Sequence, residues 1–286
     1  METLYQILSP DFLLRNSVIT STLIGLACPL VGIFLVMRRI IFMGVALPQI
    51  SSTGIAIALS VPLWTGIRLK SPQTGHQLAL IGSILLTLAA ILLLGFLERS
   101  GRGQPEGRLG TAYVVAAALS ILLLAKNPYG EIGWLDLMKG EVITISNADL
   151  EWTAASLAVI LAALGIFRKE LLLVSFDREA AFLLKKNVLL WDILLYILIG
   201  LTVSITVLSV GPLIAFAFLL IPPLASHLLS RNMRQLAVIA PLIGGGSAFA
   251  GFYIAYRWDL PVGPSDVVLL GVIYGITWLV RKAARG

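Results

Sequence analysis

The stretch Arg168–Val188, RKELLLVSFDREAAFLLKKNV, is a charged island between two long apolar segments. It carries too many charges to lie in hydrocarbon, and it contains too many leucines for a solvent-exposed linker without structure. Within it, Phe176–Leu184 has the pattern of a short amphipathic helix, with Asp177 placed to accept a backbone hydrogen bond as its N-cap. The stretch therefore predicts a helix that lies outside a bilayer and presents a surface to a soluble partner.

The composition around this stretch is that of a membrane protein. The chain has 286 residues, of which 58% are hydrophobic and 13% charged, and its mean hydropathy is +0.95. A soluble domain could not bury so much apolar surface, so the lipid bilayer must be its solvent. The net charge of +6 would also suit nucleic acid. We expect no nucleic-acid partner, however, because the basic residues lie between the apolar runs, as they do in membrane proteins.

Nine apolar runs have the length of membrane-spanning helices, which is roughly 17–25 residues. They lie near residues 12–37, 43–64, 77–97, 110–126, 149–167, 189–210, 213–230, 235–256 and 265–280. Only Val210-Gly211-Pro212 separates the sixth run from the seventh, and proline disfavours helical backbone in the residue before it. We expect an all-α fold, a polytopic membrane bundle of about nine transmembrane helices, in a single domain over residues 1–286.

The distribution of basic residues predicts the orientation of this bundle. With alternating spans, 15 of the 21 lysines and arginines fall on the side that holds Arg168–Val188. The positive-inside rule places that side in the cytoplasm. We therefore expect the N-terminus outside, the C-terminus inside, and the charged stretch in the cytoplasm.

Motifs for enzymatic chemistry are absent from the sequence. It contains no P-loop, so any nucleotide hydrolysis would belong to a partner subunit. Its two histidines and single cysteine do not form a zinc-binding motif. We expect no enzymatic activity and no cofactor bound by this chain.

Five sequence blocks carry a family resemblance. They are Gly44–Gln49 before Gly54, Gly140–Leu150, Glu170–Asp177 with Ala180, Val210–Leu213 leading to Leu220–Pro223, and Trp258–Pro264. In this order and spacing, the chain resembles the membrane-spanning permease subunit of zinc/manganese/iron-type ABC importers, over roughly Pro10 to Val280. The resemblance implies a homodimer of this permease in the inner (plasma) membrane of a prokaryote. It also implies an ABC ATPase subunit that binds ATP and Mg, and an extracytoplasmic solute-binding protein.

The resemblance gives the charged stretch a specific role. In such permeases, the helix that corresponds to Phe176–Leu184 sits in a cleft of the ATPase subunit. The residues expected to couple the permease to the ATPase are therefore Phe176, Asp177, Arg178, Glu179 and Phe182.

The second span departs from the family pattern. Metal-transporting members typically carry Asp and His four residues apart there, which places a carboxylate and an imidazole on one helical face for a divalent cation. These positions are Val45 and Gln49 in this chain, so no metal ligand is carried over. Neutral oxygens remain nearby, and the candidate substrate-path residues are Gln49, Ser51, Ser52 and Thr53. The alternative reading is that these small polar residues pack helices together.

Three functions remain open at this point. The first is a permease for a divalent metal (zinc, manganese or iron) or for a metal-related solute. The second is an ABC permease for a non-metal small solute, which the missing Asp/His pair leaves open. The third is a non-transporting membrane partner of an ATPase. The helix outside the bilayer favours transport, because transmitting force is what such a helix would serve.

Overall fold

The computed structural model describes residues 12, 14–65, 72–99, 104–125 and 145–283. Within these ranges the chain forms eleven α-helices and no strand. Nine of those helices are long and apolar enough to cross a membrane, which confirms the expected all-α bundle. The first five residues of the block Gly140–Leu150 lie outside the described ranges.

The helices follow the predicted runs closely. The nine spans are α1 (Arg15–Met37), α2 (Ile41–Thr65), α3 (Pro72–Arg99), α4 (Pro105–Ala125), α5 (Asn147–Ile166), α8 (Val188–Val210), α9 (Pro212–Leu229), α10 (Met233–Trp258) and α11 (Val262–Ala283). Two short helices, α6 (Arg168–Phe176) and α7 (Arg178–Leu183), occupy the charged stretch between α5 and α8. The end of the bundle that carries α6 and α7, predicted to face the cytoplasm, is called the inner end below.

The sharp turn between α8 and α9 forms as the Gly-Pro pair predicts. Gly211 has φ 83°, a left-handed value that glycine adopts without the penalty imposed by a Cβ atom. Pro212 is the first residue of α9, a position where its missing N–H would have had no helical partner. A single residue therefore separates two long spans.

Burial divides the bundle into a centre and a periphery. Between 61 and 72% of α1, α2, α8 and α9 is buried, against 17 to 22% of α3, α4, α5 and α11. The peripheral helices expose large apolar side chains such as Leu85, Phe96, Val159 and Val268. In a bilayer these side chains would contact lipid, which is as apolar as leucine. The centre is packed around residues such as Phe218 of α9 and Ile199 of α8.

The contact between α1 and α10 depends on a pair of glycines. A methyl group added at Gly25 would lie 2.7 Å from the carbonyl oxygen of Gly244 and 3.0 Å from the Cβ of Ala248. A methyl group added at Gly244 would collide with the carbonyl oxygen of Gly25. Small residues at membrane helix contacts allow such close backbone approach, and van der Waals packing then stabilises the pair.

This contact predicts a difference between two neighbouring glycines of α10. We expect Gly244→Ala to lower the free energy of unfolding by about 1–3 kcal/mol, because the added methyl group overpacks the contact with α1. A methyl group at Gly246 meets no atom within 4 Å, so Gly246→Ala is the matched control. Thermal unfolding of the purified protein in one detergent measures both variants. Equal shifts for the two would show that the glycine contact does not stabilise the bundle.

Candidate functional site

The inner end of α8 supports the two short helices of the charged stretch. Leu171 and Val174 of α6 are completely buried. At the junction of α5 and α6, the ring of Phe167 lies 5.5 Å from that of Trp191 in α8. Only Ala181 of α7 is buried. The apolar face of α6 therefore packs onto the bundle, while α7 lies mostly on its surface.

Asp177 caps α7 as the sequence predicts. Its Oδ1 accepts a hydrogen bond from the backbone N–H of Ala180 at 2.8 Å. The boundaries, however, differ from the predicted helix Phe176–Leu184. Asp177 has an extended backbone (φ −141°, ψ 90°), which ends α6 at Phe176 and starts α7 at Arg178. Phe176 is thus the last residue of α6, and Leu184 follows α7.

Large apolar side chains project from this stretch. Phe182 is 76% exposed and Leu183 is 81% exposed. These two residues, together with Phe176, Glu179 and Leu184, which are also exposed, are called the coupling surface below. A contiguous exposed apolar patch with a polar rim is typical of a protein–protein contact. Phe176, Glu179 and Phe182 are therefore accessible to a partner, their contact role stays a prediction, and Asp177 is the predicted cap of α7.

Arg178 differs from the other predicted coupling residues, because its side chain points towards the spans. Its Nη2 lies 3.5 Å from Oδ2 of Asp192 in α8. The other carboxylate oxygen of Asp192 accepts a hydrogen bond from Nη1 of Arg38 at 2.7 Å. Nε of Arg38 also donates to Oγ of Ser175 in α6 at 2.9 Å. In the sequence, Arg38 is only one of the basic residues of the inner side. The number of basic residues does not show which groups Arg38 contacts.

Gln49 of α2 faces α4. Only 7% of its surface is exposed, and its Nε2 donates a hydrogen bond to Oγ of Ser120 at 3.3 Å. Thr53, one helical turn further along the same face, donates to the carbonyl oxygen of Ala116 at 2.8 Å. The structure therefore brings two of the four substrate-path candidates together, at the contact between α2 and α4.

The other two candidates point elsewhere. Oγ of Ser51 lies 2.6 Å from Oγ of Ser83 in α3, near the close approach of Gly54 to Gly82. Ser52 is buried, and its hydroxyl group has no hydrogen-bond partner among the described residues. Successive residues of a helix point about 100° apart, so these four side chains cannot all face one solute.

A cavity opens at the inner end of the same helices. It has a volume of about 650 Å³ and lies between the start of α2, the end of α3 and the start of α4. Its wall includes Arg39, Met43, Leu97 and Arg108. Gln49 lies six residues beyond Met43 on α2, which is about 9 Å along the helix axis. The cavity therefore lies on the inner side of the Gln49–Ser120 contact, and it is called the inner vestibule below.

The described residues contain no group of three or more His, Cys, Asp and Glu side chains that could hold a metal ion. Val45 and Gln49, at the family's Asp and His positions, lie on α2 where the sequence places them. In this part of the chain, a bare cation would meet amide, hydroxyl and carbonyl oxygens at the α2–α4 contact. The α2–α4 contact thus offers neutral oxygen atoms as its possible ligands.

Comparisons with known proteins place the chain in a family. The model of the ABC 3 transport family matches residues 11–281. The chain is 24% identical over 274 residues to "Manganese import system permease protein ScaB" of Streptococcus gordonii, which covers 95% of this chain and 92% of that protein. It is 26% identical over 279 residues to "Manganese transport system membrane protein MntD" of Bacillus subtilis, with 92% and 90% covered.

A solved structure has the same fold. A chain of "PsaBC from Streptococcus pneumoniae in complex with Fab" superposes with a TM-score of 0.81 at 22% identity, and the match covers 97% of this chain and 94% of that one. Nine spans together with such relatives identify a multi-pass protein of a bacterial inner membrane. With a family model matched along almost its whole length, the chain belongs to the ABC 3 transport family, as the membrane-spanning permease subunit of an ABC importer.

Proposed function

We propose that this permease moves a divalent metal of the manganese, iron or zinc class, or a metal-related solute such as a chelate, across the membrane. Two copies would enclose the path as a homodimer. A solute-binding protein would deliver the cargo from outside, and a separate ATPase, holding ATP and Mg, would drive transport from the cytoplasm. The names of the relatives ScaB and MntD support manganese as the first cargo to test.

The observation that carries the transport function is the coupling surface on the inner end of a bundle of spans. Phe182 and Leu183 are more than three-quarters exposed, although the apolar face of α6 next to them is buried. An exposed aromatic residue with apolar neighbours is the usual anchor of a protein–protein contact. The rigid support of α6 by α8 would let a partner that grips α7 transmit force to the spans.

The contact between α2 and α4 is the best candidate for the path within one subunit. It holds the buried amide of Gln49, and the vestibule of about 650 Å³ lies below it. A buried amide is costly in hydrocarbon unless it is hydrogen-bonded, and Ser120 supplies that bond here. Separation of α4 from α2 would free the amide and open the vestibule towards the outer half of the membrane.

Transport can be measured directly in proteoliposomes that contain the permease with its ATPase and binding protein. We expect ATP-dependent uptake of radioactive manganese, iron or zinc, as free ion or chelate. Uptake of none of these, with ATPase stimulation by a binding protein loaded with another solute, would assign a non-metal cargo. The absence of stimulation by any loaded binding protein would instead support a membrane partner that does not transport.

The coupling surface predicts the effect of a charge reversal. Glu179→Lys should lower co-purification of the ATPase roughly tenfold, because reversing the charge within a complementary interface is costly. Glu151→Lys is the control, since Glu151 is also exposed but lies at the outer end, in the first turns of α5. Undiminished assembly and turnover of Glu179→Lys would place the ATPase contact elsewhere.

The path predicts a specific role for the amide of Gln49. We expect Gln49→Leu to lower uptake roughly five- to tenfold without unfolding the protein, because the solute loses one hydrogen-bonding partner. Ser120→Ala is the matched control, since it removes the same Gln49–Ser120 hydrogen bond but keeps the amide. Equal uptake by the two variants would mean that Gln49 contributes only to helix packing.

Introducing the family's Asp and His pair tests whether the same face of α2 lines the path. Val45→Asp combined with Gln49→His places a carboxylate and an imidazole four residues apart, and it should raise the affinity for zinc or manganese. Metal binding to the purified permease, measured by calorimetry, gives the result. A doubly substituted protein that binds no metal, together with normal uptake by Gln49→Leu, would show that this face of α2 does not line the path.

A further inference from the structure

Asp192 connects three parts of the inner end. It lies in α8, and its carboxylate contacts Arg38 at the end of α1 and Arg178 at the start of α7. The side chains of Arg38 and Asp192 are only 5% and 1% exposed, whereas that of Arg178 is 57% exposed. One carboxylate therefore makes a buried ion pair with Arg38 and a half-exposed ion pair with α7, the helix that carries Glu179, Phe182 and Leu183 of the coupling surface.

The two ion pairs differ in strength for a physical reason. The Arg38–Asp192 pair is short and shielded from water, and loss of either charge would leave the other one buried without compensation. The Arg178–Asp192 pair is longer, and although its carboxylate is buried, its arginine is 57% exposed, so that water can replace the carboxylate around Arg178 more easily than around Arg38. The Arg38–Asp192 pair is thus the stronger of the two contacts, and Arg178 is the partner that can leave Asp192 at the lower cost.

Arg38 is closely connected to the start of α2. It is followed by Arg39, whose φ of 59° turns the chain, and by Ile40, whose N–H donates to the carbonyl oxygen of Leu35 at 3.0 Å. The second span begins at the next residue, Ile41. Because this connection is so short, a displacement of Arg38 must shift the beginning of α2, the helix that carries Gln49.

The surroundings of Arg178 leave it room to move. A cavity of about 470 Å³ lies beside the Arg38–Ser175 contact, between the turn after α1 and the junction of α6 with α7, and its wall includes Arg38, Ser175, Arg178 and Tyr196. The buried contact of α7 itself is made by the small side chain of Ala181. A partner that holds Glu179, Phe182 and Leu183 could therefore tilt α7 while Leu171 and Val174 of α6 stay packed on the bundle.

From this geometry we infer that Asp192 is a positioning residue of the transport cycle: it passes a movement of α7, through Arg178 and Arg38, to the start of α2. The inference rests on the proposed transport function. It adds a defined route between the ATPase contact and the helix of the candidate path. In this route, the Arg178–Asp192 ion pair is the contact that changes, and the buried Arg38–Asp192 ion pair is the contact that is kept.

The first test follows the start of α2 without measuring transport. Hydrogen–deuterium exchange of the peptide that spans residues 38–47 is compared in the permease–ATPase complex with and without ATP. We expect ATP to change the exchange of this peptide in the wild type, and the change to be lost in Asp192→Asn. It should return, at least in part, in Asp192→Glu, which keeps the charge. A wild type without any change at residues 38–47 would overturn the inference.

A control ion pair lies in the same stretch. Nζ of Lys186 is 3.6 Å from Oε1 of Glu170, so Glu170→Gln removes a carboxylate charge from α6 without touching Asp192. We expect Glu170→Gln to retain the ATP-dependent change at residues 38–47. If it abolishes the change as Asp192→Asn does, the loss is a general effect of disturbing the stretch and the proposed route is wrong.

The second test measures solute taken up per ATP hydrolysed in proteoliposomes. Asp192→Asn should lower this ratio roughly tenfold, and adding Arg178→Met should lower it no further, because both changes break the same route. Arg178→Met alone leaves the buried pair intact, so it provides the result if Asp192→Asn does not fold. Effects that multiply, or a wild-type ratio in both single variants, would overturn the inference. A wild type that transports no metal contradicts the proposed cargo instead, and the exchange experiment still decides the route.

Discussion

The main constraint on this chain is that hydrocarbon offers no hydrogen bonds to the backbone. The N–H and C=O groups of each span must therefore form hydrogen bonds within the protein. For a chain that does not close into a β-barrel, the α-helix is the structure that achieves this. Prolines interrupt this pattern in the central helices, and four of them are Pro29, Pro48, Pro222 and Pro223. All four are buried, so the backbone groups that they leave unpaired face protein rather than lipid. Most prolines inside the spans thus lie in the four central helices, while Pro241 in α10 is only partly buried.

Most of the fold could be predicted from the sequence because the signals are local. A run of apolar residues defines a span whatever its neighbours are, and the predicted boundaries agree with the observed helices to within a few residues. Gly211 and the Asp177 cap are equally local, since each depends on one residue and the next few. The sequence predicts one helix from Phe176 to Leu184, and the start of that helix is wrong. The extended backbone of the capping residue Asp177 ends the preceding helix at Phe176.

The candidate sites could be predicted only in part, since their chemistry depends on contacts between distant residues. The sequence identifies Gln49 as a polar residue in a span, but its partner Ser120 is 71 residues away. Asp192 and Arg38 are 154 residues apart, and no spacing rule relates them. Helical geometry alone could have separated Ser51 from Gln49, because the two positions point in nearly opposite directions. The sequence does not predict which helix packs against each of these faces.

The coupling surface also affects how fast an unassembled copy of the chain would be degraded in the cell. If the coupling surface binds the ATPase as proposed, a permease made without its ATPase would display Phe182, Leu183 and Leu184 to the cytoplasm, where nothing apolar would cover them. Chaperones and proteases recognise exposed apolar segments of this kind, so an unassembled copy would be removed faster than an assembled one. The contact that transmits force would then also adjust the amount of permease to the amount of ATPase. Quality control of the complex would follow from the same few side chains that drive it.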